Sequence, residues 1–498
     1  MTGTSRACRG YAIALVVVAL LAAFAFPLSA QLSGMQDADG IITAYMSTQK
    51  LTWYFWRQDR FLNLLPALAW PVANVAWNLH LQIFLRAFFA FLAPLGVLYV
   101  LRPSARFLLP ATLVASALLA VLLDGIADFN LYVHHVPVGT SLVLFAVSAM
   151  LFRRRERGWP WLACAFAIAF LAYATNIALL LLALPLLALA FALNLSPRRE
   201  LAAFLALNVL VIVLAYGHAR VFGEAQTQFG SGEVSWHAIR HGYAVVASRL
   251  HVAGFCVAAL LAVMAGLFCR RRDALAAALF ALYCLAGIGG LSCSQWVQVN
   301  LYEIRYYLMF EVGLAACIAF VLVGATERVL ATEWRMGALV VLSLGVAWSI
   351  GLHGTAASPD ELVGSTWRES ARDWGRAAIE HRAQVVAGDF WDAWPTVFEA
   401  DRLRGADAAS REPIHAATWR SRPLHARVVE SAAATGSLRV LCLPELADCV
   451  HAVEDAFQVR VVAPPEAAEE LRDAKGRGMR LLTLRIAPPA AAGMPGSQ

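Results

Sequence analysis

Residues Arg153–Arg199 read RRRERGWPWLACAFAIAFLAYATNIALLLLALPLLALAFALNLSPRR. Arginine clusters bracket two apolar runs, Trp159–Ala174 and Ile177–Leu195, separated by a short break. At about 1.5 Å per residue, runs of roughly 17–20 residues are long enough to cross about 30 Å of hydrocarbon. Two crossings return the chain to the side it left. Arg153–Arg157 and Arg198–Arg199 therefore share one face, and the positive-inside bias makes that face cytoplasmic.

The same grammar extends in both directions. Further spans are expected at Tyr11–Ala30, Asn78–Leu101, Phe107–Leu123, Val136–Phe152, Leu201–His218, Val252–Cys269, Ala274–Leu291, Tyr306–Ala325 and Met336–His353, about eleven in all. Arg6 and Arg9, Arg102 and Arg106, Arg270–Arg272, and Arg328 with Arg335 fall on the same side as the first two clusters if the N-terminus is cytoplasmic. Ten spans follow the first, which reads as an uncleaved anchor rather than a signal peptide. The expectation is an α-helical multi-pass protein of a bacterial inner membrane. Residues 1–353 form its transmembrane part, residues 31–77 an outer loop, residues 354–487 a small extracytoplasmic (periplasmic) α/β domain, and residues 488–498 a disordered tail.

Composition agrees, with 60% hydrophobic residues. The formal charge of +6 is that of the cytoplasmic arginines and gives no reason to invoke nucleic acid. The nine cysteines show no metal-ligand spacing. Cys164, Cys256, Cys269, Cys284 and Cys317 read as small hydrophobes in or beside spans. Cys442 and Cys449 are both in the exported tail, seven apart, and suit either free thiols or a disulfide in an oxidising compartment, since spacing does not give the Cβ geometry.

The outer loops carry the chemistry. Beyond the first span, Gln36-Asp37-Ala38-Asp39-Gly40 precedes a stretch with Ile41, Ile42, Tyr45 and Met46 on one helical face and Thr43, Ser47 and Thr48 on another. Interface-seeking aromatics follow, Trp53-Tyr54-Phe55-Trp56, then Arg57-Gln58-Asp59-Arg60 and a second apolar stripe of Leu62, Leu65, Ala69 and Val72. Such a loop is expected to lie along the membrane surface as short helices.

On a regular helix Asp37 and Asp39 would diverge by about 200°, whereas an extended turn ahead of Gly40 lets both face one point. Converging carboxylates suit a divalent metal with a bound phosphate, or a general base with its orienting partner. They equally suit solvation of the loop and the N-terminus of the next helix. Arg57, Asp59 and Arg60 make either a surface ion pair under an aromatic belt or a guanidinium grip on a lipid-linked phosphate. Arg305, in Asn300-Leu301-Tyr302-Glu303-Ile304-Arg305-Tyr306-Tyr307, is a second outer arginine, suited to snorkelling or to clamping a ligand. His134-His135 follow Asp124 and Asp128 in another outer loop; phosphate contact or a proton relay suits them better than metal ligation.

A cytoplasmic N-terminus, an acidic pair just past the first span, a long outer loop, and the Arg305-Tyr306 pair entering a late span together resemble the GT-C class of integral-membrane glycosyltransferases. The resemblance covers the membrane half. The run Trp56-Arg57-Gln58-Asp59-Arg60-Phe61 with Leu64-Leu65-Pro66 resembles a subgroup of poorly characterised bacterial members. There are departures. WWDYG is missing, and Met309-Phe310 stand where related enzymes carry a proline after the Arg-Tyr pair.

The resemblance implies a polyprenyl-phosphate-linked sugar donor, and a glycan, lipid or protein acceptor, at the outer face. Asp37 would be the catalytic base, with Asp39 orienting it or joining it around Mg or Mn. Arg57, Arg60, Arg305, His134 and His135 would hold the donor phosphate. Asp59, Tyr302, Glu303 and Tyr306 would contact substrate. A hexosyl- or pentosyltransferase that inverts the anomeric carbon is the expectation.

In the tail, Trp367, Ala371, Trp374 and Ala378 mark one helical face. Gln384–Ala387, Leu438–Leu443, Val459–Val462 and Met479–Ile486 read as strands. Trp391 to about Leu403, Leu446–Phe457 and Glu466–Ala474 read as helices. In Ala387-Gly388-Asp389-Phe390-Trp391-Asp392 the acids suit either capping of the next helix or glycan contact. The rival readings are a transporter or flippase for lipid-linked sugars and a non-catalytic membrane partner in envelope-glycan assembly. Against the transporter, the spans are read as free of charge at mid-depth and as lacking paired interrupted helices.

Overall fold

The computed structural model describes residues 13, 15–23, 37–123, 125–224, 234–249, 260, 263–264, 271–326, 365–405, 412–444, 446–463, 465 and 468–487. The expected span Met336–His353, most of Tyr11–Ala30 and Val252–Cys269, the clusters Arg6/Arg9 and Arg328/Arg335, and the tail 488–498 lie outside them. The chain divides into two units. One comprises residues 1–32, 58–64 and 83–358; the other comprises residues 33–57, 65–82 and 359–498.

Among the described residues, helices long and apolar enough to cross a membrane run Val75–Leu101, Arg198–Phe222, Arg272–Ser292 and Leu308–Ala325. Two bent pairs bring the number to at most six. In one of them, Trp159–Thr175 and Ile177–Ala192 meet at a 108° bend between the two arginine clusters. The break has a local cause. Asn176 is extended and its side chain accepts the Ala178 N–H at 3.1 Å, ending one helix and starting the next.

Helices of the first unit touch at small residues. A Cβ added to Gly139 would lie 2.4 Å from the Ala90 backbone, so Val138–Phe152 meets Val75–Leu92 at main-chain contact. Buried polar groups are paired across helices: Ser116 donates to Phe91 O at 2.6 Å and Tyr173 OH to Asn208 Oδ1 at 2.8 Å. Charged side chains are buried within these helices. Arg86 is buried within Val75–Leu101 and donates to Val133 O at 2.8 Å, and Glu311 is buried within Leu308–Thr326. Both residues are plain in the sequence, but high local hydropathy obscured them.

The second unit contains a five-stranded mixed sheet, order β2-β1-β3-β6-β5, from β1 (Val385–Ala387), β2 (His415–Ala417), β3 (Leu438–Cys442), β5 (Ala468–Arg472) and β6 (Gly478–Leu484). Strand β1 lies between β2 and β3 and is parallel to both, with Val385 in register with His415 and Val440. Strands β6 and β5 add antiparallel, and β4 (Arg460–Val461) pairs with β7 (Ile486–Ala487) in a small separate ribbon. Helix Ser365–Glu380 buries Ala371, Trp374 and Ala378, the face marked in the sequence.

Two expectations are corrected in this unit. Glu466–Ala474 carries helix-favouring residues, yet Ala468–Arg472 is strand β5, because β6 offers it an edge and tertiary pairing overrides local propensity. The short β2 and helix His425–Thr435 have weak signals and were not expected from the sequence. Cys442 and Cys449 form a disulfide, with Cα atoms 5.9 Å apart.

Candidate functional site

The acidic pair belongs to the second unit. A helix begins at Ala38 and runs to Thr48, so Asp37 is its N-cap and Asp39 lies in its first turn. This corrects the extended turn ahead of Gly40. Asp37 Oδ1 accepts the Gly40 N–H at 2.6 Å, a bond that an extended chain lacks. The helix has no solvent face either: Thr43 and Ser47 are buried along with Ile41, Ile42, Tyr45 and Met46. Thr43 Oγ1 donates to Gly40 O and Ser47 Oγ to Pro66 O, which lets a polar stripe sit inside. Asn78 completes that interior by donating to Ser47 Oγ, Ala69 O and Val72 O.

The aromatic run is corrected in the same way. Trp53 alone is exposed, while Tyr54, Phe55 and Trp56 are buried. Trp394 receives both Trp56 and Tyr45, at ring separations of 5.9 and 5.2 Å.

Arg420 was missed by the sequence reading. It is buried, it donates to Trp56 O at 3.1 Å, and its Nη2 lies 3.5 Å from Asp39 Oδ1. Its guanidinium packs over Trp419 at 4.1 Å and Phe55 at 4.8 Å. The available signal was Trp419-Arg420 just beyond β2, and an unread strand hid it. Below Tyr45, its hydroxyl donates to Asp401 Oδ2 at 2.8 Å. Burial pushes the Asp401 carboxyl up to about 6, against the smaller opposing effects of Tyr45 and Arg404. Burial and Asp401 together raise the Tyr45 hydroxyl. Buried His415 is pushed down to about 4 by desolvation and then by Arg427, and its Nδ1–H donates to Gln49 Oε1 at 3.1 Å.

The basic candidates lie in the first unit. His134 and His135 follow a π-helical turn, Phe129–Val133; both are buried, with rings 4.2 Å apart. Arg305 Nη1 donates to His134 Nε2 at 3.3 Å, and Arg305 Nε lies 2.6 Å from Glu303 Oε2. Arg305 sits in a 3₁₀ turn, Ile304–Tyr306, entered through Leu301 and Tyr302 at φ +53° and +56°. Arg60 stacks 4.0 Å above Trp296. Arg60, Trp296, Arg305 and Tyr306 line one cavity of about 180 Å³, whose remaining wall is largely aliphatic, from Val136 and Leu181 to Leu291 and Met309.

Other candidates go elsewhere. Asp59 pairs with Arg220 at 3.2 Å, and the Tyr302 ring packs 4.5 Å from His241. Neither lines that cavity. Arg57, at φ +62°, belongs to the other unit, the boundary falling between it and Gln58. Asp389 caps helix Phe390–Arg404 by accepting the Trp391 N–H at 2.9 Å.

The fold of the chain is that found in a GT-C membrane glycosyltransferase. Within that class, the chain is similar to the crystal structure of ArnT from Cupriavidus metallidurans bound to undecaprenyl phosphate. The TM-score is 0.52 and the identity 15%, over 98% of this chain and 99% of that one. It is also similar to the oligosaccharyltransferase AglB from Archaeoglobus fulgidus in complex with an inhibitory peptide and a dolichol-phosphate. There the TM-score is 0.42 and the identity 11%, over 90% of this chain and 71% of that one. No protein-family model matches the sequence, and neither does any curated protein.

Proposed function

We propose that the protein transfers a sugar from a polyprenyl-phosphate-linked donor to a glycan, lipid or protein acceptor at the outer face of the membrane, with inversion. The observation that carries this reading is the cavity in which Arg60 and Arg305 stand over an aliphatic wall. A guanidinium pair suits a phosphate and an aliphatic wall suits a prenyl chain. The ArnT crystal structure, of the same fold, is bound to undecaprenyl phosphate, a ligand of that kind.

In this reading an acceptor hydroxyl oxygen attacks the anomeric carbon while the carbon–oxygen bond to phosphate breaks. The phosphate leaves with the bonding electrons, and Asp37 takes the hydroxyl proton. Arg305 and Arg60, with His134 and His135, stabilise the charge that grows on the leaving phosphate. Glu303 and Tyr306 hold Arg305, and Asp39 is oriented by Arg420. Arg57, Asp59 and Tyr302 carry no step. The carboxylates of Asp37 and Asp39 are also oxygen donors of the kind that Mg or Mn takes; activity that survives EDTA would remove the cation from this reading.

Asp37→Asn should abolish transfer from a lipid-linked donor in isolated membranes, since an amide keeps the shape and the cap but takes no proton. Full activity in that variant would sink the assignment. A reporter active only outside the cytoplasm should work after Gln498 and fail after Arg155. A flippase for lipid-linked sugars is the second reading, and buried Arg86 and Glu311 favour it. Donor-dependent movement of lipid-linked sugar without transfer would put it first.

A further inference from the structure

We infer that the second unit carries a saccharide-binding cavity, separate in its lining residues from the cavity of Arg60 and Arg305, and that it takes a sugar bearing an acidic group. The cavity has a volume of about 470 Å³, within the range of small-molecule sites. Trp77 stands at its rim with 69% of its surface exposed, a flat apolar ring of the kind on which the C–H face of a pyranose stacks.

Around that platform the polar side chains are oriented in advance. Buried Gln49 accepts from His415 through Oε1, so its Nε2 remains a donor. Asn74 accepts the Trp77 N–H through Oδ1 at 3.0 Å, which leaves Nδ2 as a second donor. Asp401, held by Tyr45, supplies an acceptor for sugar hydroxyls. Arg402 is committed, its guanidinium lying 2.9 Å from the buried Glu399 carboxylate. Arg427 is not committed: it is exposed, it lines the cavity, and among the described residues no carboxylate pairs with it.

Amide donors, a fixed carboxylate and an aromatic platform suit a polyhydroxylated ring, and the unpaired guanidinium adds a preference for an anion. A tryptophan serving only as an interface anchor requires none of these partners. On the transferase reading this sugar is part of the acceptor; the binding itself does not depend on that reading.

The test is calorimetry on the purified full chain in detergent with three probes: a glucuronate-containing disaccharide, the matching neutral glucose disaccharide, and inorganic phosphate. The acidic disaccharide should bind at least tenfold more tightly than either of the others. Arg427→Gln should bring it down to the neutral level, while Arg427→Lys retains part of the preference. Trp77→Ala should weaken both disaccharides about tenfold. Both positions are exposed, so the fold should persist. The inference is overturned if the acidic disaccharide does not bind, if its binding survives both Arg427→Gln and Trp77→Ala, or if phosphate alone binds as tightly. No transfer activity is read, so loss of the transferase proposal would leave these outcomes unchanged.

Discussion

The segment Asp37–Asp39 and the turn Leu301–Tyr306 present charged groups in opposite ways. The acids stand at the start of a regular helix, and each already serves the fold: Asp37 caps, and Asp39 in the first turn faces a buried arginine. Arg305 stands on irregular backbone, beyond two left-handed residues that are not glycine, and lines a cavity. Left-handed non-glycine residues cost of order 1–3 kcal/mol each, and such strain persists where something else requires the geometry. The acidic motif can therefore be explained by folding alone, and so can the left-handed pair, which ends helix Gln295–Val299 with the Tyr302 N–H donating to Val297 O at 2.9 Å; Arg305 just beyond it is set at the wall of a cavity. What separates the two is the cavity: Arg305 lines one, whereas the acidic motif is the easier one to see.

The largest expected effect follows from that contrast. Arg305→Ala should lower transfer at least 100-fold, the scale on which loss of one preorganised charge partner is felt. Its cost in thermal stability should be the smaller effect: the pair with half-exposed Glu303 is worth about 1 kcal/mol or less, and loss of the 3.3 Å bond to His134 adds about 1 kcal/mol. Arg305→Lys should retain partial donor binding through charge while losing the planar fork. Unfolding of Arg305→Ala at the wild-type activity per folded molecule would reverse the comparison.

Arg420→Gln should behave oppositely. Arg420 and Asp39 are about nine-tenths buried, and removing one member of a buried pair strands the other, at a cost of about 3–5 kcal/mol. Chemical denaturation of the purified protein measures it. Replacing both, Arg420→Gln with Asp39→Asn, should recover much of the stability without recovering transfer. A single substitution as mild as the double one would mean that Asp39 is not held by Arg420.

Asp401 and His415 set the next effect, and they oppose each other. With the Asp401 carboxyl raised from 3.8 to about 6, the unfolded chain loses its proton first as pH rises. Stability present below pH 4 is then lost by pH 6, by about 3 kcal/mol. His415, lowered from 6.5 to about 4, contributes stability that is present above pH 6.5 and lost as pH falls toward 4, by a similar amount. Across pH 4–6.5 the two slopes cancel, and the native protein should show a flat profile. Asp401→Asn should expose stability that falls with acid, and His415→Gln stability that falls with base. A flat profile in either variant would contradict the burial of the remaining group.

How much of this was legible follows from the range of the interactions. Helices Arg198–Phe222 and Arg272–Ser292 were readable because lipid-length hydropathy is a property of one segment. Strands β1 and β3 were readable from short β-branched runs between turns. Strand β5 was not, because its conformation comes from the edge that β6 presents rather than from its own glutamates. Tyr54, Phe55 and Trp56 look interfacial as a string; the burial of Phe55 and Trp56 depends on Arg420 and Trp394, hundreds of residues later in the chain. The acidic pair and Arg305 were found as motifs, but which of them serve folding became visible only with their partners.

The smallest effect is the one that separates cap from base. Asp37 and Asp389 are both N-caps of helices in the second unit, each accepting a backbone N–H in the first turn. Substitution by alanine should cost each helix about 1 kcal/mol, and substitution by asparagine, an equally good cap, should cost almost nothing. If Asp37 is a cap and nothing more, Asp37→Asn will resemble Asp389→Asn in both melting temperature and transfer. The expected result is that the melting temperatures match while transfer separates them, with Asp389→Asn at wild-type activity and Asp37→Asn inactive. Because both substitutions conserve the cap, the difference in transfer isolates the proton that only a carboxylate can take.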